Sequence, residues 1–545
     1  MADLTGSDQF AVYNGSTHKK ITADQLSQNY DGSYANYRLA VYNSSNGNHY
    51  SVKCNELGSK ISSSNQGSYH FMISRGSTLY KVAAEKVLGL LSKMWSVNWK
   101  NASTGGTGVQ IYDTVPNNFG EVYVIGVVGA ASNNSEAFVA MLDSSGSVVW
   151  QRKIGGSGYE RGMTGVVDSS GNISIAAWTS TSTVGSYDLF FASYNRSGSV
   201  LYRTKVGSSN FEIPKTMMRL PNGNFVVAAQ WVSTNSYAVY FELNSNLSRS
   251  TSTTSRRINM PPSWNAGAEC GAVDNSGNIY IGGSGPDLSG ISNGYEGIAF
   301  ITKITNGNHS WSRAYTSPAP PNIPSGRNIT LGSIAIVNGN EPVSLISEQM
   351  RWVGGNYTTA IIKYDTNGNF SWYRRITDPE GFDSNDLNNN GTYAFTGDLA
   401  HSIDTDSSNN IYFVTSSGMY GANLGTLVVK INYSGTLIWA RKISYTNTTI
   451  NLVPRSLHVD QKENLIVGTS DMVLALSTDG DFTGIYGSGN TQYQISNYSI
   501  ALTSSMIGSV KTKSSSVSNA SIPATTSASN FSSSSVSYST EFVEI

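Results

Sequence analysis

Four tryptophans, Trp178, Trp231, Trp264 and Trp352, stand off the regular spacing of the other indoles, in or beside loop-like stretches. A flat aromatic in that setting can stack on an apolar ring face, including a sugar's C–H face, so these four are candidate ligand-facing residues. The stretch Asp386-Leu-Asn388-Asn-Asn390-Gly391 places oxygen atoms at alternate positions before a glycine, as in the first half of a calcium loop. The Glu that closes such a loop is missing: Gly397 stands there, with Asp398 beside it. A plain Asn-rich loop is the first reading, and calcium on Asp386, Asn388 and Asn390 the second. No other cofactor is expected.

Other polar groups point to structure rather than catalysis. The histidines His18, His49, His70, His309, His401 and His458 show no metal-ligand spacing. Gly290-Ile-Ser292-Asn-Gly294 has the letters of a nucleophile elbow, but it leads into a strand rather than from a strand into a helix. Asp168, Asp274 and Asp406 each precede a Gly-Asn or Asn-Asn turn, where a carboxylate caps the turn instead of joining a catalytic pair. No zinc-protease, phosphate-loop or dinucleotide signature occurs. The expectation is a non-enzyme, with a carboxylate pair assembled only by the fold left open.

The 545 residues are 13% charged, with a formal net charge of -1. Nucleic acid as a partner needs a basic stripe, and none is present. No apolar run is long enough for membrane insertion. Cys54 and Cys270 read as small buried residues. The N-terminus, Met1-Ala-Asp-Leu-Thr, has neither the basic nor the apolar segment of a secretory signal. An extracellular-looking composition without an export signal suits a virus-particle component, assembled in the host cytoplasm and working outside it.

The elements that must position these residues follow from repetition. Asp168-Ser-Ser-Gly-Asn-Ile-Ser-Ile returns as Asp274-Asn-Ser-Gly-Asn-Ile-Tyr-Ile, and Val149-Trp150-Gln-Arg-Lys-Ile as Ile438-Trp439-Ala-Arg-Lys-Ile. Closing strands with an aromatic and basic residues occur at Trp99, Trp150, Tyr202, Arg256-Arg257, Trp311, Trp372 and Trp439, which predicts seven blades of a β-propeller. The region begins with a closing strand and ends on a third-strand run near Leu476, so pairing the two ends within one blade would close the ring. Ile154-Gly-Gly and Ile281-Gly-Gly also resemble a broad family of bacterial propeller repeats, which implies fold and not function.

Residues 1–92 carry a different unit three times, each a β-hairpin followed by a short helical turn, with apolar Leu26, Leu57 and Val87 at matching places. Phe10, Val12, Asn14, Gly15, Ile21 and Leu26 in the first copy, and Phe71, Arg75, Gly76, Tyr80, Lys81 and Val82 in the third, carry the motif; the second copy departs from it. This motif resembles one in virion structural proteins of marine tailed phages, cyanophages especially. The resemblance implies a tail or appendage protein whose N-terminal module docks to the particle. The expected organisation is all-β: an anchoring module (1–92), a seven-bladed propeller (93–489) and a Ser/Thr-rich extended arm (490–545). The arm reads either as a linker or as strands added to a neighbouring subunit. The expected partners are other virion proteins, further copies of the chain, and a host-surface polysaccharide met by the outward-projecting propeller. A pure scaffold of neck, baseplate or capsid surface, and a lectin or glycan-active enzyme, are the alternatives.

Overall fold

A computed structural model of the chain describes all residues except 1–8, 15–16, 23–37, 44–48, 54–68, 76–77, 84–93, 100–107, 130–134, 156–157, 181–186, 208–209, 233–235, 250–254, 260–266, 288–295, 317–327, 350–356, 378–401, 420–421, 448–449, 507–508, 513–515, 520–524, 527–531 and 536–540; before residue 93 it describes backbone only. Two compact units emerge, Met1–Met94 with the short segments Lys462–Asn464 and Leu476–Asp481, and the remainder of the chain.

In the larger unit, seven antiparallel sheets form a seven-bladed β-propeller. Their innermost strands, Val109–Pro116, Glu160–Val167, Phe211–Arg219, Gly267–Val273, Asn328–Val337, Ser402–Thr405 and Pro454–Val459 for blades 1 to 7, pack side by side in a closed ring. The central strands are apolar on both faces, as in blade 1, where every residue of Val122–Val128 is buried, because each sheet packs between two others. Blade 7 takes its first three strands from the end of the repeat region and its fourth, Trp95–Asn98, from the start. This is the expected closure. The closing strand begins at Trp95, however, and Trp99 lies just beyond it, with its indole N–H donating to Gln151 Oε1 at 3.3 Å.

The turns form as their residue types dictate. Asp168 Oδ1 accepts the backbone N–H groups of Ser170 and Asn172, while Gly171 takes the left-handed conformation at φ 79°. Asp274 with Gly277, and Asp406 with Asn409, repeat the arrangement.

Neighbouring blades are clasped by the Trp-x-Arg motif. The Trp150 indole donates to Arg196 O at 2.9 Å, Arg152 Nε donates to Gly198 O at 3.2 Å, and a Cβ at Gly198 would stand 2.8 Å from the Trp150 ring. Trp95 with Gly146, Trp311 with Gly368, and Trp372 with Gly435 repeat this contact on the turns of blades 1, 5 and 6. These indoles are blade packing.

The C-terminal segment overturns the expectation of an appended arm. Strands beginning at residues 493, 501, 509, 516, 525, 532 and 541 add a fifth strand to blades 6, 5, 4, 3, 2, 1 and 7 in that order, and on blade 6 Gly484–Tyr486 pairs outside it as a sixth. The tail therefore runs once around the propeller as a belt, against the direction of blade assembly. Each segment pairs antiparallel with its blade's fourth strand, so the chain must travel back between blades, which accounts for a step of seven to nine residues around strands of two to five. Apolar residues spaced along it, including Ile500, Leu502, Val510 and Val517, pack on blade cores, and the hydroxyl residues between them occupy a solvated edge. The last strand, Glu541–Glu544, pairs with the ring-closing Trp95–Asn98.

In the smaller unit six strands pair as Gln9–Asn14/Thr17–Thr22, Arg38–Asn43/His49–Lys53 and Tyr69–Arg75/Thr78–Ala83. Their registers match: Phe10 faces Ile21, Leu39 faces Val52 and Phe71 faces Val82. The first strand of each hairpin pairs with the first strands of the other two, giving one six-stranded sheet instead of separate beads. The expected helical turns, with Leu26, Leu57 and Val87, and the turn glycines Gly15 and Gly76, lie outside the described residues.

Candidate functional site at the mouth of the propeller axis

Antiparallel order sends the connections of each blade to two ends. One end carries short turns such as 143–147, 168–172 and 432–436. The other carries long links, among them 180–187, 260–266, 317–327, 350–356 and 378–401. Trp178 and Trp231 occupy equivalent places at that loop end, where the second strands of blades 2 and 3 finish. Trp264 belongs to the link 260–266, Trp352 to 350–356, and Asp386, Asn388 and Asn390 to 378–401; all five lie outside the described residues. Among the described residues no cluster of His, Cys, Asp or Glu has metal-binding geometry.

A register shift interrupts the innermost strand of blades 1, 2, 3, 4, 5 and 7, leaving Tyr112, Met163, Lys215, Glu269, Gly332 and Arg455 as the extra residues. A bulge places two residues opposite one and re-aims side chains locally. Here it sets a ring of unlike residues near the loop end. Lys215 and Glu269 pair across blades 3 and 4 at 2.8 Å. Blades 7, 1 and 2 differ: the guanidiniums of Arg455 and Arg161 stand 5.1 and 5.3 Å from the Tyr112 ring centroid. Arg161 is also 5.6 Å from the Trp178 ring, its cross-strand neighbour. Trp178 meets Tyr187 edge-on at 4.7 Å, and Tyr187 lies 5.0 Å from Phe211, which is 38% exposed. Trp231 instead packs half-buried against Tyr237 at 6.0 Å. Of the two described candidate tryptophans, Trp178 joins a polar-aromatic cluster and Trp231 belongs to a blade core.

Deeper on the axis, His458 Nε2 lies 3.4 Å from Asp113 Oδ1, and its Nδ1 lies 3.7 Å from Asp404 Oδ2. Thr164 Oγ1 donates to Asp113 Oδ2 at 3.0 Å, and the Val459 N–H donates to Asp404 Oδ2 at 2.9 Å, so the cluster links blades 6, 7, 1 and 2. Both imidazole nitrogens face carboxylates rather than a hydroxyl, an arrangement that holds a charged ring instead of activating a nucleophile. Burial pulls the His458 pKa down, but the hydrogen bond and charge of Asp113 and the charge of Asp404 outweigh it and hold the value above the ordinary one. Burial raises the Asp404 pKa against the opposing His458 charge and the Val459 and Thr405 N–H groups. Both shifts favour the protonated cluster. Its stabilisation is present below a histidine's unfolded value of about 6.5 and is lost as pH climbs through the raised value. The melting temperature is therefore expected to fall as pH rises above about 6.5, and H458Q to flatten that fall. An unchanged pH slope in the variant would remove this cluster from the account.

Sequence patterning missed Arg161, Tyr112, Arg455 and the His458 cluster, because ring closure and the bulges bring them together. The signal present was slight: Asp113 and Asp404 each begin an Asp-Thr pair on an innermost strand.

No family model and no curated protein matches the chain. Similar solved structures include Drosophila Semaphorin 2a (8% identity, 68% of this chain and 74% of that one, TM-score 0.37). Others are the Hadza microbial sialidase Hz136 (10% identity, 68% and 66%, TM-score 0.34) and endo-arabinase from Bacteroides thetaiotaomicron VPI-5482 (10% identity, 60% and 96%, TM-score 0.30). These likenesses leave function to be argued from the site.

Proposed function

We propose that this protein is a non-enzymatic component of a tailed-phage particle, in which the propeller is a binding module that meets the host surface with its loop end. The observation that carries the binding role is the Arg161–Tyr112–Arg455 cluster with its wall of Trp178, Tyr187 and Phe211, which joins cationic donors to aromatic surface at the loop end. The virion assignment rests on the motif of the N-terminal triplet, whose Phe10–Ile21 and Phe71–Val82 pairs occupy equivalent register positions. A module of three mutually paired hairpins suits docking to a particle. The belt adds support, since it leaves none of the seven blades ending on its own fourth strand, a useful property for a multi-copy surface protein.

Quantitative mass spectrometry of gradient-purified particles tests the assignment. The expected result is the chain at a fixed small multiple of the portal protein, and loss of incorporation when residues 1–94 are deleted. Absence from particles would sink the phage reading. The same aromatic-cationic mouth favours a free lectin as the second reading, for which the protein would be found on cells or in the medium.

A further inference from the structure

We infer that the mouth formed by blades 7, 1 and 2 is a site for a carboxylated sugar, with the carboxylate held by Arg161 and Arg455 and the ring lying on the Trp178–Tyr187–Phe211 wall. This rests on reading the loop end as a binding face, and it is independent of the virion assignment.

Three observations carry it. First, Arg161 is half-buried and touches the ring faces of Tyr112 and Trp178, yet its Nε is buried without a hydrogen-bond partner. Among the described residues no carboxylate pairs with it. Two buried lysines of neighbouring blades, by contrast, have carboxylates at hand, Lys205 with Asp188 at 2.7 Å and Lys215 with Glu269 at 2.8 Å. A desolvated guanidinium lacking that partner is completed by an anion from outside. Second, Arg455 shares the Tyr112 ring with Arg161, which brings a second fork of donors toward the same place. Planar donors of this kind match a carboxylate's two oxygens. Third, the adjoining wall ends on the exposed Phe211 ring, and the C–H face of a pyranose needs such a surface next to its acidic group.

The test measures binding of the full-length protein by calorimetry and tryptophan fluorescence. The probes are oligomers of galacturonate, of mannuronate-guluronate and of sialic acid, their methyl esters, neutral dextran oligomers and dextran sulfate. At least one acidic series is expected to bind, with its methyl ester about tenfold weaker or worse. R161Q should lose affinity by a similar factor, and F211A, at an exposed position, should weaken binding with its melting temperature unchanged. R196Q, at the turn end, should bind as the parent does. Equal affinity for acid and ester, no acidic series above neutral dextran, or unaltered binding by both R161Q and F211A would overturn the site. Tighter binding of dextran sulfate than of every carboxylate would overturn the carboxylate assignment in favour of a sulfate ester. A protein absent from particles that still binds the acids would lose the virion role and keep this site.

Discussion

Removing residues 500–545 is expected to make the propeller self-associate through its bared edges and to lower its melting temperature by roughly 5–10 °C. The truncation keeps the strand Tyr493–Asn497 on blade 6 and strips the outermost strand from the other six blades. Each bared fourth strand then presents a row of unpaired N–H and C=O groups, the template for edge-to-edge association. It also uncovers apolar surface beneath Ile500, Leu502, Val510 and Val517. The thermodynamic loss per strand is modest, because each backbone hydrogen bond contributes about 1 kcal/mol net and ordering the tail costs conformational entropy. The association effect is larger, since six edges become available at once. Size-exclusion chromatography with light scattering reads it directly. A shorter truncation that removes only residues 536–545 should bare the closing blade alone, where Glu541–Glu544 covers Trp95–Asn98, and give a smaller shift. A monomer with unchanged melting after the long truncation would mean that the belt is ornamental.

Trp150→Ala should destabilise the propeller by about 3–5 kcal/mol, the range for deleting a buried large aromatic. Trp150 is 7% exposed and packs between Tyr123 at 6.0 Å and Tyr194 at 5.9 Å. Its loss leaves a cavity under the blade 2 turn and removes the donor to Arg196 O. It also removes the ring over which Arg152 sits at 5.5 Å while reaching Gly198 O. Trp178→Ala, half-buried at the loop end, should cost about 1–2 kcal/mol at most. Denaturant unfolding of the two variants separates an indole that clasps blades from one at the loop-end mouth. Equal losses would erase the distinction between the two classes of tryptophan.

That distinction was visible in part from spacing, because an indole repeated in register serves packing in each copy, and one off register is free for another role. Trp178 stands in the polar-aromatic mouth, and Trp231 packs on a blade core. Trp231 stands where Trp178 stands one blade earlier, but Tyr237 covers its ring, and spacing carries no record of what a neighbouring strand contributes. The tail shows the same limit. Its alternation through Tyr493, Ile495, Tyr498, Ile500 and Leu502 announced strands, yet beyond Val510 the serines and threonines concealed four more. An outer strand needs only backbone pairing and an occasional apolar contact, so its side chains carry little pattern.

By itself the sequence determined the class of structure: the seven-fold repetition, the closure phase and the Asx turns. Each of these depends on residues close together in the chain, where turn chemistry and two-residue alternation act directly. The tertiary structure alone decided the partners of the tail, the pairing of the three hairpins into one sheet, and the assembly of the axial mouth. Arg161 and Arg455 are separated by almost the whole circuit of the propeller in sequence and meet at one tyrosine because blade 7 closes against blade 1. Which distant strands become neighbours is settled by burying every blade face and pairing every strand edge together, a condition on the whole ring that no local stretch contains.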